Sequence, residues 1–177
     1  MSTLALVRHG QASFFSDNYD ELSPRGERQA RLLGEYWVKQ GVRFDEVYTG
    51  PRVRQIETAQ LAGEAFSKAG LPWPQAQMLR EFDEHQVDRF IKLAMADIAR
   101  SHPHVEPLHA AYRAAQTPHE SARAFQLMFE EVVMLWVDEK IAHAEIEAWA
   151  AFRRRVEAGL QQITTSHQRG RGVAAFT

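Results

Sequence analysis

There is no cysteine in this chain of 177 residues, and that absence excludes disulfides, a thiolate nucleophile and cysteine-ligated metal. Long hydrophobic runs are missing too. The first apolar stretch meets Arg8 too early for a signal peptide, and nothing approaches the roughly 20 apolar residues of a membrane span. A cytoplasmic location with no membrane partner is the expectation. Neither sign of charge is in excess: 21 Lys and Arg stand against 23 Asp and Glu, a formal net charge of −2. No global field draws in nucleic acid, so any recognition of an anion must be local. Internal repeats and low-complexity segments are absent as well. The length, with 45% hydrophobic and 25% charged residues, suits one globular domain with a real core.

What is present begins with alternating strand and helix signals. Residues 3–7 read as a buried strand. Ser23-Pro24 announces a helix, with serine as the cap and proline at the first helical position. Ala30, Leu33, Gly34, Trp37 and Val38 share one face of it, and Gly41 ends it. Gly34 is a weak helix former, so its inward place points to close packing against the sheet. Residues 44–49 read as a second strand, closed by Gly50-Pro51. A helix follows over 53–69, with Ile56, Ala59, Ala62, Gly63 and Phe66 facing inward. Residues 77–82 read as a short extended piece, and 84–143 as mostly helical, divided by prolines 103, 107 and 118. An amphipathic helix over 144–163, a turn at 169–172 and a last strand at 173–176 complete the reading. Such βαβα alternation argues for a parallel sheet covered by helices. The expected fold is α/β: a three-layer α/β/α sandwich with a mainly parallel sheet, and residues 84–143 inserted as a helical cap.

The chemistry gathers where the first strand ends, in Ala5-Leu6-Val7-Arg8-His9-Gly10-Gln11. In an open α/β sheet, ligands bind at the carboxyl ends of the strands. A histidine there can attack a phosphoryl group, and Arg8 beside it can clamp phosphate oxygens through two parallel hydrogen bonds. Gly10 allows a sharp turn that brings amide N–H groups toward the anion.

This opening resembles that of the histidine phosphatase superfamily, in its phosphoglycerate mutase-like branch. The segment from Tyr48 to Ala59 resembles the family's strand-to-helix passage, in which a fixed arginine precedes a Thr-Ala pair. The resemblance makes Arg54 the second phosphate clamp, with Thr58-Ala59 completing the match. A place in the opening turn of a helix, near its partly positive N-terminus, suits that role. Leu79-Arg80-Glu81 resembles the family's Leu-x-Glu motif, which implies that Glu81 protonates the leaving oxygen; Asp83 and Glu84 are its rivals. Leu22 to Gly26 with Gln29-Ala30, and Phe152, Arg155, Val156 and Leu160, are similar to scaffold segments. The similarity spans residues 3–82 and about 146–177 of one histidine-phosphatase-like domain over 1–177.

There are departures from the family pattern. Phe15 stands where highly active members carry an asparagine, with Asp17 and Asn18 out of register. Gln11 replaces a commoner glutamate and can donate its amide to a phosphate oxygen. The family places a second histidine after the last strand, whereas the sequence given stops at Thr177. Either the C-terminal part of the fold is missing from this sequence or the catalytic set is incomplete.

The resemblance implies transfer through a phosphohistidine. His9 attacks; Arg8, Arg54, Gly10 and Gln11 hold the phosphate oxygens; Glu81 serves as acid, then as base. No metal and no cofactor are expected. The other ring nitrogen of His9 should donate to a backbone carbonyl and so fix the reactive tautomer. The expected partner is a phosphorylated small molecule, and hydrolysis of small phosphomonoesters is the first reading. A phosphoglycerate mutase and a phosphate-binding protein of impaired catalysis are the alternatives. His102, His104 and His109 lack metal-ligand geometry, and His85 reads as a loop histidine. Arg153-Arg154-Arg155 samples several directions around a helix and reads as a partly solvated face, not a nucleic-acid patch. Phe125, Met128, Phe129, Val132, Val133 and Trp136 form a core stripe first and a homodimer contact second.

Overall fold

A computed structural model of the chain describes residues 2–13, 20–165 and 170–177. Phe15, Asp17, Asn18 and Arg169 lie outside the described residues. The chain forms two compact units, 1–84 with 155–177, and 85–154.

The first unit is built on four strands among the described residues: β1 (Thr3–Val7), β2 (Glu46–Thr49), β3 (Ala76–Met78) and β4 (Gly172–Phe176). They lie in the order β1-β4-β2-β3, and every pair is parallel. The last strand therefore enters between the first two, with Ala5 opposite Ala174 and Val47 opposite the same residue on the other side. Helices α1 (Pro24–Lys39) and α2 (Val53–Lys68) cover one face, where Trp37, Phe44, Ala59, Ala62, Phe66 and Phe176 make a core with Val47 and Ala174. The other face belongs to α7 (Trp149–Thr165), whose Leu160 and Ile163 pack with Tyr48, Leu79, Phe82, Val173 and Ala175. Three layers result, as expected.

Local rules explain α1 well. Ser23 Oγ accepts the Gly26 N–H at 3.1 Å, Pro24 follows at the first helical position, and Gly41 beyond the end takes φ +70°. Gly34 does face inward, but its close neighbour is the backbone of α2 and not the sheet. A Cβ added there would run into the carbonyl oxygen of Ala62.

Three expectations change. The strand over 3–7 is not buried, because among the described residues β1 pairs with β4 alone; Leu6 is 57% exposed at this sheet edge. The extended piece over 77–82 is a three-residue strand followed by a 3-10 turn at Arg80–Phe82. The last long helix starts at Trp149, five residues later than its periodicity suggests.

The second unit supplies the reason for that late start. Helices α3 (Asp88–Leu93), α4 (Met95–Ser101), α5 (Glu106–Ala114) and α6 (Pro118–Val137) surround a core of their own, including Val87, Phe90, Ile98, Val105, Met128, Val132 and Trp136. Ile141 and Ile146 are buried in this core, and the Trp136 indole donates to the Glu147 carbonyl at 2.8 Å. These tertiary contacts hold 141–147 in an irregular path that a regular helix would break. The α6 stripe packs as core: Met128, Val132 and Trp136 are buried, with Phe125, Phe129 and Val133 packed against them. His85 lies in a loop, as expected, but is half-buried and not exposed, its ring 5.9 to 6.2 Å from those of Trp136, Phe129 and Phe152. Among the described residues no helix is long and apolar enough to cross a membrane, and no group of three or more His, Asp or Glu is placed to hold a metal ion.

Candidate active site

Two helix-preceding loops and one turn meet at the carboxyl ends of β1 and β2, all within the first unit. The β1–β4 ladder runs past the strand end, with Thr177 N–H donating to Val7 O and His9 N–H donating to Thr177 O at 2.7 Å. His9 is thus held by the central strand as well as by its own.

The His9 ring makes two hydrogen bonds that define its tautomer. Nδ1–H donates to the Gly10 carbonyl at 2.6 Å, and Nε2 accepts from Arg54 Nε at 3.0 Å. The proton therefore belongs on Nδ1 and the lone pair on Nε2, by assignment from the partners. The imidazole side chain is only 8% exposed. Burial, the largest influence, pushes its pKa below the ordinary 6.5; the Gly10 carbonyl opposes this, Arg54 and Arg8 favour it, and Glu84 opposes it.

Arg54 is 4% exposed and its fork is fully engaged. Beyond His9, Nη1 donates to Asp20 Oδ1 at 2.8 Å and Nη2 to Glu84 Oε2 at 3.2 Å. Its position comes from α2: the Thr58 hydroxyl, one turn on, donates to the Arg54 carbonyl at 2.6 Å and accepts the Gly10 N–H at 3.0 Å. A single buried hydroxyl so ties the turn after His9 to the helix that carries the guanidinium.

Arg8 and Arg54 therefore have different standings. Arg8 is exposed and makes no hydrogen bond or ion pair among the described residues, although it lies near enough to bias the charge on His9. The backbone N–H groups expected to face an anion are engaged internally. Gly10 N–H goes to Thr58, Gln11 N–H to Gln29 Oε1, and in α2 Val53 and Arg54 N–H both go to Asp20. Gly10 has another reason to be glycine: an added Cβ would stand 2.6 Å from the Gly26 carbonyl oxygen, where two backbones cross. The donors left to meet an anion at this edge are side chains.

The acidic segment after β3 is fastened at several points. Arg155 Nη1 donates to the carbonyls of Arg80, Glu81 and Asp83 at 3.3, 2.8 and 3.1 Å. Gln55 Nε2 donates to Phe82 O at 3.1 Å, and Arg52 Nε to Asp83 Oδ1 at 2.6 Å. The Glu81 Cβ lies against Gly159 of α7, and its side chain makes no hydrogen bond or ion pair among the described residues. It is Glu84 whose carboxylate reaches the histidine, Oε2 lying 4.0 Å from His9 Nε2.

Sequence reasoning thus passed over Asp20, Thr58 as a linker, Gln55 and Arg155. Arg155 had a signal, since it belongs to the scaffold match on the last long helix. Asp20 had none, because its partner is 34 residues away.

A 79-residue stretch covering 41% of this chain is 42% identical to a 2,3-bisphosphoglycerate-dependent phosphoglycerate mutase of Thermobifida fusca, of which it covers 31%. The chain spans about a third of the length of the curated relatives it matches. The fold is similar to a phosphoglycerate mutase from Bacillus anthracis, with TM-score 0.61 and 18% identity over 98% of this chain and 73% of that one. It is also similar to a putative alpha-ribazole-5'-P phosphatase from Escherichia coli, with TM-score 0.60 and 20% identity over 98% of this chain and 72% of that one. The profile of the histidine phosphatase superfamily (branch 1) matches residues 4–141, and the chain belongs to that superfamily.

Proposed function

We propose that this chain transfers phosphoryl groups through a phosphohistidine at His9 and hydrolyses small phosphomonoesters. The observation that carries the reading is the His9–Arg54 pair: a neutral imidazole with its Nε2 lone pair 3.0 Å from a buried guanidinium. Nucleophile and phosphate clamp stand side by side at the sheet's carboxyl edge.

In the first step Nε2 attacks phosphorus in line while Arg54 shifts from the lone pair onto the phosphoryl oxygens. Arg8 is exposed at the rim, and Gln11, whose amide oxygen accepts from Ser23 Oγ at 3.3 Å, follows the Gly10 turn with its amide N–H groups as donors; both add donors to the same oxygens. The cations supply the charge that neutralises the transferring group. A carboxyl of the 81–84 segment, Glu81 by its motif or Glu84 by its contacts, protonates the leaving oxygen. Water then cleaves the N–P bond with the same carboxylate as base.

A mutase is the second reading, favoured by the likeness to named phosphoglycerate mutases. One incubation separates the readings. Phosphate release from p-nitrophenyl phosphate, lost by at least about a thousandfold in His9→Ala, is expected for the hydrolase. Exchange of phosphate between the two hydroxyls of glycerate would identify a mutase. Equal release by wild type and His9→Ala would remove His9 as the nucleophile, and binding of inorganic phosphate without turnover would leave a binding protein.

A further inference from the structure

Resting on the phosphoryl-transfer reading, we propose that Asp20 is a positioning residue. It holds one corner of the Arg54 guanidinium so that the other donors stay aimed at a phosphoryl group on His9. A guanidinium is planar, and its N–H groups point in directions fixed by that plane. Arg54 Nε meets His9 Nε2 at 3.0 Å and Nη2 meets Glu84 Oε2 at 3.2 Å, two acceptors that lie 4.0 Å apart. These are the donors that a phosphoryl group arriving on the imidazole would take. Nη1 goes elsewhere, to Asp20 Oδ1 at 2.8 Å.

Asp20 is itself fastened on two sides. Its Oδ2 accepts the Val53 N–H at 3.2 Å, and its carbonyl accepts the Arg54 N–H at 2.8 Å, so side chain and main chain both grip the first turn of α2. Because the two carboxylate oxygens serve different donors, the plane of the carboxylate is fixed as well as its place. Two residues on, Leu22 N–H donates to Glu57 Oε2 of the same helix at 3.1 Å. On the other side, the stretch pairs antiparallel with the residues that follow His9. Ser13 N–H donates to Glu21 O and Ser23 N–H to Gln11 O, both at 2.9 Å, around an Ala12–Leu22 bridge. Asp20 therefore stands between the segment that presents the nucleophile and the helix that presents the clamp, with its position set by both.

A long side chain with several rotatable bonds needs such a stop. The incoming phosphoryl group must take Nε from His9 and Nη2 from Glu84. With Nη1 anchored, that exchange is a pivot about a fixed corner, and donors that scarcely reorganise are the ones that stabilise a transition state. Without the Asp20 carboxylate, Arg54, only 4% exposed, would turn to satisfy its unpaired corner. The charge would remain in the site and its aim would be lost.

A double-mutant cycle on the whole chain tests this, with p-nitrophenyl phosphate as substrate. Asp20→Ala is expected to lower kcat by about 10–100-fold, the scale of an ångström-sized misplacement. Asp20→Asn, which keeps an oxygen for Nη1, should lose less. Since the role runs through Arg54, Arg54→Ala alone and Arg54→Ala with Asp20→Ala should differ by less than about threefold. Vanadate, an analogue of the in-line transition state, gives the same comparison by direct binding, whatever turnover remains. Asp20→Ala should weaken vanadate by about tenfold or more and inorganic phosphate by less than about threefold, and should weaken vanadate no further once Arg54 is alanine. Circular dichroism confirms that each variant is folded. The same fold-loss from Asp20→Ala with and without Arg54 would make Asp20 merely structural, and tighter phosphate binding would make it a competitor for the cation; either overturns the proposal while leaving the hydrolase reading intact. Failure of wild type to release phosphate, or full activity in His9→Ala, would instead overturn that reading and this proposal with it.

Discussion

At the scale of single residues, the site is a contest over one guanidinium. Arg54 is shared by an imidazole nitrogen and two carboxylates, so any phosphate must displace existing partners before it binds. A buried cation with three partners in place is preorganised, and that is what electrostatic catalysis requires. The same arrangement sets a pH dependence. A protonated His9 has no lone pair for phosphorus, so activity falls where the imidazole gains its proton. Burial, with Arg54 and Arg8, lowers that pKa below 6.5; the acid limb of kcat/KM is therefore expected below pH 6.5. An acid limb above pH 6.5 would contradict it, and a carbon-13 titration of the His9 ring checks the assignment independently. His9, Arg8 and Gly10 were legible because they follow a strand signal in one unbroken tripeptide. Glu84 was legible only as a rival, since which of four neighbouring side chains turns inward depends on what Arg52, Gln55 and Arg155 grasp.

At the scale of elements, packing decides what periodicity cannot. α1 and α2 approach closely because Gly34 presents no side chain to the Ala62 carbonyl, and Arg31 and Glu64 form an ion pair between the same two helices. Replacing Gly34 with alanine improves helix propensity by about 1 kcal/mol but forces a methyl group into backbone. The expected net effect is a loss of about 1–3 kcal/mol in denaturant unfolding, because a carbonyl inside a helix cannot step aside. Stabilisation by Gly34→Ala would show that the two helices separate easily. α1 was read nearly to the residue, since Ser23, Pro24 and Gly41 act within a turn of themselves. The start of α7 was misplaced because Ile141, Ile146 and the Trp136 indole, all distant in sequence or turned into a core, hold the preceding residues out of helix.

At the scale of the molecule, the chain closes its first unit with its last strand. β4 lies between β1 and β2, and its burial is nearly complete, with Ala174, Ala175 and Phe176 fully inaccessible. Sheet closure thus waits for residues separated from β1 by almost the whole sequence, a topology of high contact order. Deletion of residues 172–177 should leave β1 with no ladder partner and remove the Thr177 carbonyl from the His9 N–H. The expected outcome is loss of the first unit's cooperative unfolding transition and rapid proteolysis of residues 1–84, measured by circular dichroism and limited digestion. Retention of a cooperative transition would mean that β1 and β2 find another pairing. Order within the sheet was not readable from the strands themselves, because short apolar segments of similar composition carry no label for their neighbour.

Sequence alone determined the strand-and-helix alternation, the limits of α1 and the place of His9 just beyond the first strand, because each depends on residues adjacent in the chain: a cap and its helix, or a histidine at a strand's end. Only the tertiary structure decided which carboxylate meets that histidine, why Gly10 and Gly34 must be glycines, and that the final strand lies at the centre of the sheet. Those outcomes depend on distances between residues far apart in sequence, and such distances exist only once the layers have packed.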